Sequence, residues 1–120
     1  ALGGWDILLQ VLVSFVVIDY MTGVINAICD KKLSSEIGFK GLFKKIIIFA
    51  MVFVAVQLDK ATGTAVFRTA TILFYMSNEG ISILENIGKL GVPYPQNLKD
   101  ILIQLKQKTD DQEEGKTNGQ

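Results

Sequence analysis

Apolar residues run almost unbroken over 5–29, WDILLQVLVSFVVIDYMTGVINAIC, where only Asp6 and Asp19 carry charge. A helix of that length, at about 1.5 Å per residue, exceeds the ~30 Å of bilayer hydrocarbon, so the pattern predicts a first membrane span. A second run, 42–58, LFKKIIIFAMVFVAVQL, is uncharged from Ile46 to Leu58 and predicts a shorter span, with Lys44 and Lys45 expected to snorkel to the headgroups. The third run, 64–87, TAVFRTATILFYMSNEGISILENI, is interrupted by Arg68, Glu79 and Glu85 and is the weakest by hydropathy.

Lysine placement supports counting it. Lys31, Lys32, Lys40, Lys44 and Lys45 follow the first run, and Lys89, Lys99, Lys106, Lys108 and Lys116 follow the third; these are ten of the twelve basic residues. Three spans put both groups on one side of a membrane, whereas two spans separate them. The expected architecture is an all-α membrane protein with its N-terminus out, its C-terminus in, and a tight hairpin at Asp59, Lys60, Thr62 and Gly63.

In the third run, Arg68, Thr71, Tyr75, Asn78, Glu79, Ser82, Glu85 and Asn86 recur at threes and fours and so share a helix face. Lipid cannot solvate that face, and a charge at the bilayer centre costs about 2.5–3.5 kcal/mol on insertion scales. Two arrangements satisfy it. Either it packs against other helices, with Glu79 or Asp19 paired to Arg68 or hydrogen-bonded to Asn and Thr, or it lines water once several chains assemble. Asp19 admits the same two readings, with Thr22, Gly23 and Asn26 offering small or polar contacts nearby. Gly80 lies on the opposite side of the third helix, and Gly38 and Gly41 suggest an irregular, hinge-like start to the second span.

Pro93 and Pro95 mark a turn, after which Leu98, Ile101, Leu102 and Leu105 form an apolar stripe on a short amphipathic helix over 96–108. That stripe wants the inner membrane face, the first cytoplasmic loop or a neighbouring subunit. Residues 1–108 thus form one helical membrane domain, and 109–120, which lack apolar residues, are expected to be a disordered tail.

Composition removes several function classes. Twelve basic residues balance twelve acidic ones, so nothing favours nucleic acid as a partner. With no histidine and one cysteine, neither a Cys/His metal site nor an internal disulfide is expected. No phosphate-binding glycine loop and no nucleophile–base set occurs, so no catalytic or cofactor-binding residues are assigned and no enzyme activity is expected. The opening ALGGWD has no basic n-region, so no signal-peptide layout is expected.

The blocks DYMTGVINAI (19–28), KKLSSEIGFKGLFKK (31–45), LD (58–59) and FYMSNEGISILENIGKLGVPYPQNLKDIL (74–102) resemble the phage holins, a family that includes holin-like clostridial toxin-release proteins. The resemblance implies a multi-pass protein of the bacterial cytoplasmic membrane that homo-oligomerises in the lipid bilayer and permeabilises it at a set time. An endolysin, or a toxin, then crosses; an antiholin is a further implied partner. The matching positions are Asp19, Thr22, Gly23, Gly38, Gly41, Asn78, Glu79 and Glu85. The competing expectation is a non-pore accessory subunit, or an antiholin, that binds a partner through the polar face and the C-terminal helix. A soluble hydrophobic bundle is a third, disfavoured by the lysine placement and the two long spans.

Overall fold

The computed structural model describes residues 7–117, with side-chain placement through Thr109. The expected beginning of the first span at Trp5 lies outside them, as do 118–120. Four α-helices follow in order: α1 (Ile7–Cys29), α2 (Ser35–Thr62), α3 (Val66–Lys89) and α4 (Gln96–Thr117). There is no strand among the described residues. The longest dimension is 48 Å, comparable to a bilayer with its headgroups.

Helix α3 is the centre. It packs against each of the other three, while α1 and α2 touch each other only narrowly. Leu9, Leu12 and Val16 of α1 join Ile48 and Val52 of α2 and Ile72 of α3 in one apolar cluster, flanked by Leu8, Phe49, Tyr75 and Met76. The outer faces of α1 and α2 are apolar as well: Val17, Ile18, Met21 and Ile25 on one, Phe43, Ile46, Ile47, Phe53 and Val54 on the other. Only 22% of the apolar window of each helix is buried inside the fold, and both helices are long and apolar enough to cross a bilayer. A soluble core helix buries most of its apolar face. These faces need another solvent, and lipid is the one that suits them.

Three local expectations change. The segment of Gly38 and Gly41 is regular helix, because α2 begins at Ser35 with Ser34 as its N-cap, whose side chain accepts from Ile37 N at 3.2 Å. Asp59, Lys60 and Thr62 are helical too, and the turn narrows to the residues after Thr62, with Gly63 at φ 72°, a left-handed conformation suited to glycine. The C-terminal helix continues past Lys108 to Thr117, through most of the segment expected to be a disordered tail. Gln, Glu and Lys there are good helix formers and no proline intervenes. Helix α3 covers the third expected span, but its charges keep it out of the set apolar enough to cross unaided.

Asp59 explains how α3 starts. The residue before α3, Ala65, has no side chain that can cap it, and Asp59 of α2 fills that role from outside the helix. Its Oδ1 accepts from Phe67 N at 2.9 Å and Thr64 Oγ1 at 3.0 Å, and its Oδ2 accepts from Arg68 N at 2.8 Å. A carboxylate at a helix N-terminus also meets the positive end of the helix dipole. Asp59→Ala is expected to lower the thermal midpoint of the detergent-solubilised chain, and Asp59→Asn, which keeps one acceptor oxygen, by less; circular dichroism melts of the two variants check the order.

Candidate functional site

The buried faces run in helical register. On α1 the sequence Leu9, Leu12, Val16 leads to Asp19, and on α2 Lys45 leads to Ile48, Val52, Ala55 and Asp59. The α1 stripe therefore delivers Asp19 to the interior and the α2 stripe Lys45, with Asp59 at its hairpin end, and α3 adds Glu79, 2% exposed. They meet near the middle of the bundle. Lys45 Nζ lies 2.5 Å from Asp19 Oδ2 and 2.6 Å from Glu79 Oε1, so one ammonium bridges two carboxyl groups on the two flanking helices.

Hydrogen bonds extend the site toward the α1–α2 connection. Asn86 Nδ2 of α3 donates to Asp19 Oδ1 at 3.0 Å and to Thr22 Oγ1 at 2.9 Å. Asn26 Nδ2 donates to the Asn86 carbonyl at 3.1 Å, and Tyr20 Oη donates to the Gly38 carbonyl at 3.1 Å. Beside these groups lies a cavity of about 270 Å³ between α1, α2 and α3, with Asp19, Lys45, Ser82 and Asn86 as its polar lining and Val24, Ala27, Leu33 and Ile37 among its apolar walls. The bundle thus has a dry half, the apolar cluster, and a half with polar groups and room for water, with the three charges between them.

Several sequence-predicted residues gather here: Asp19, Thr22, Asn26, Glu79 and Ser82. The expected partner of the carboxyls does not. Arg68 stands eleven residues before Glu79 on the same helix, about 16 Å away along the axis, at the hairpin end. Lys45 takes its place, and so does not snorkel to the headgroups as expected; its side chain is 19% exposed and turned inward, while Lys44 stays outside. The stripe on α3 is divided rather than presented as one face. Glu79 faces Lys45, Asn78 accepts from Lys106 Nζ of α4 at 3.0 Å, Tyr75 packs beside the apolar cluster, Thr71 and Arg68 are half-buried, and Glu85 is exposed.

Among the glycines of the described residues, Gly80 is the one with no room. An added Cβ would stand 2.9 Å from Leu102 Cδ1 and 3.2 Å from Phe15 Cε2, so α4 and α1 close on it from two sides. Gly23, Gly38 and Gly41 leave ordinary contact distances, the last two against the Tyr20 ring. On α4, Leu102 turns toward α3 and Leu105 is half-buried, but Leu98 and Ile101 are exposed. Sequence reading missed Lys45, Tyr20 and Lys106. A signal for Lys45 existed, since it falls in step with Ile48, Val52, Ala55 and Asp59, whereas Lys44 does not.

Comparison with known proteins follows the same lines. The chain matches the model of the bacteriophage holin family over residues 1–107. It is 37% identical over 99 residues to a probable holin of Bacillus phage phi105, covering 82% of this chain and 73% of that one. It is 50% identical over 108 residues to an uncharacterized 14.9 kDa protein of Clostridium perfringens, covering 88% and 82%, and 43% identical over 113 residues to an uncharacterized protein of Listeria innocua, covering 93% and 81%. No solved structure matches.

Removing one member of a buried ion cluster leaves its partners uncompensated, at about 3–5 kcal/mol. Lys45→Met is therefore expected to destabilise the detergent-solubilised chain by roughly that amount. The triple variant Asp19→Asn, Lys45→Met, Glu79→Gln is expected to recover most of the loss, as read from chemical unfolding monitored by Trp and Tyr fluorescence.

Proposed function

Since the chain belongs to the bacteriophage holin family, we propose that it accumulates in the host cytoplasmic membrane, oligomerises there and permeabilises it at a set time, so that an endolysin reaches the cell wall. In this reading the chain is multi-pass. Helices α1 and α2 span, α3 spans beside them with Glu79 paired, the N-terminus is outside and the lysine-rich segments are inside. The observation that carries the reading is a polar helix packed against two apolar ones, with Glu79 at its middle and Asp19 of α1 both joined to the Lys45 ammonium of α2.

That arrangement suits a protein with a quiet state and a permeable one. In dispersed chains Asp19, Lys45 and Glu79 satisfy one another in the interior, and lipid meets the outer faces of the bundle. Exchanging those partners for water requires water at membrane depth, which a single chain surrounded by lipid does not have and a cluster of chains can enclose. The dependence on many copies gives the delay and the abruptness. The membrane potential acts on the same groups, at about 2.3 kcal/mol per charge and 100 mV if one traverses the whole field. The glycines at 23 and 80, the Thr22–Asn86–Asn26 bonds and the cavity at Ser82 belong to the contacts that rearrange. Export of a toxin is the same operation with a different cargo.

Inducible expression of the chain alone in a bacterial host, with membrane potential and culture density followed together, tests the proposal. It predicts a silent interval and then sudden depolarisation. Membrane accumulation without depolarisation would overturn it in favour of an accessory or antiholin role.

A further inference from the structure

Helix α4 lies where lipid would be. Its inner side fits α3 closely: Leu102 fills the space at Gly80, Lys106 reaches Asn78 and sits 5.7 Å from the centre of the Phe74 ring, and the buried Thr109 shares a groove with Ala65, Ala70 and Leu73. These contacts run from the middle of α3 toward its beginning, alongside the outer faces of α1 and α2 that lipid suits. The outer side of α4, however, exposes Asp100, Gln104, Gln107 and Lys108. Asp100 and Gln104 flank Leu102, which meets the middle of α3, so an Asp100 charge facing hydrocarbon there is heavily disfavoured and neither short side chain reaches a headgroup layer, whereas Lys108, beside the start of α3, can snorkel. A docked α4 and an α3 surrounded by lipid therefore exclude each other.

We propose that α4 docks on α3 only where its outer side meets water, when copies of the chain enclose a shared aqueous lumen, and that it leaves α3 while the chain is dispersed in lipid. The proposal rests on the assembly reading above and adds that α4, not only α3, supplies polar lining to the lumen. The connection permits such a hinge: Gly91 has φ 82°, and Pro93 and Pro95 keep the segment out of helix. The face that α4 uncovers is mostly apolar, with Ala70, Leu73, Phe74 and Gly80, and its one carboxamide in contact with α4, Asn78, is uncharged and costs far less in lipid than the charges on the outer side of α4. Undocked, α4 can lay Leu98, Ile101, Leu102 and Leu105 on the membrane surface with its charges in water.

A tether reads the docking directly. In the full chain carrying Cys29→Ser, the pair Gly80→Cys and Leu102→Cys removes the leucine side chain that would otherwise clash, and brings two thiols together only when α4 is docked. The protein is reconstituted in dye-loaded vesicles at low and high protein-to-lipid ratio and oxidised mildly. The intrachain disulfide is expected to rise at least about five-fold across the ratio at which dye release begins. Equal yield at both ratios, or a disulfide that joins two chains, would overturn the proposal. Asn78→Cys with Lys106→Cys, joined by a short bis-maleimide, is expected to follow the same rise and guards against altered packing at Gly80. Dye release from the reduced Cys29→Ser chain is read separately: a density-dependent tether without release keeps the conditional docking and removes the permeabilisation.

Discussion

One ammonium group holds the polar interior together. Among the described residues Lys45 is the one cation that pairs with Asp19 and Glu79, and those two carboxyls belong to the other two helices of the site, α1 and α3. Between helices in lipid there is little hydrophobic drive, because the tails are as apolar as the side chains; packing and polar contacts decide which helices pair. Apolar contact alone would let α1 and α2 slide past α3. The three charges fix the register, since a shift of one helical turn, about 5.4 Å, would leave at least one of them alone in a medium that cannot solvate it.

This constraint also accounts for the split between the two ends of the bundle. On the hairpin side the interior is Leu9, Leu12, Val16, Ile48, Val52 and Ile72, and the end is closed by Asp59 holding the first turn of α3. Toward the α1–α2 connection, the helices part around a cavity lined by Ser82, Asn86, Asp19 and Lys45. Water that enters from there meets the charges before it meets the apolar core.

Much of this was legible in the residues. The long runs of α1 and α2 announce membrane-length helices, and Asp19, Thr22, Asn26 and Glu79 were recognisable as polar groups needing partners. What stayed hidden is which partner each takes. Spacing places a residue on a face but does not say which helix that face meets, and α3 has three neighbours. So its polar stripe, continuous on a helical wheel, is divided among Lys45, Asn86's contacts on α1, and Lys106 on α4. Lys45 was misjudged because snorkelling is the usual fate of a lysine at a span end; the register of the buried residues after it is the stronger cue. The extent of α4 escaped because polarity argues against a core and is silent on helical backbone, for which the composition is favourable.

The claim that Lys45 sets helix register through its carboxyl partners is tested most directly by exchanging the charges of one pair. Asp19→Lys and Lys45→Asp are compared singly and together for stable accumulation in the membrane and resistance to proteolysis. The account predicts that each single variant is degraded and that the double variant, with the pair restored in reverse, recovers a substantial part of the wild-type level. A double variant no better than the singles would show that the site depends on the individual side chains and not on their pairing.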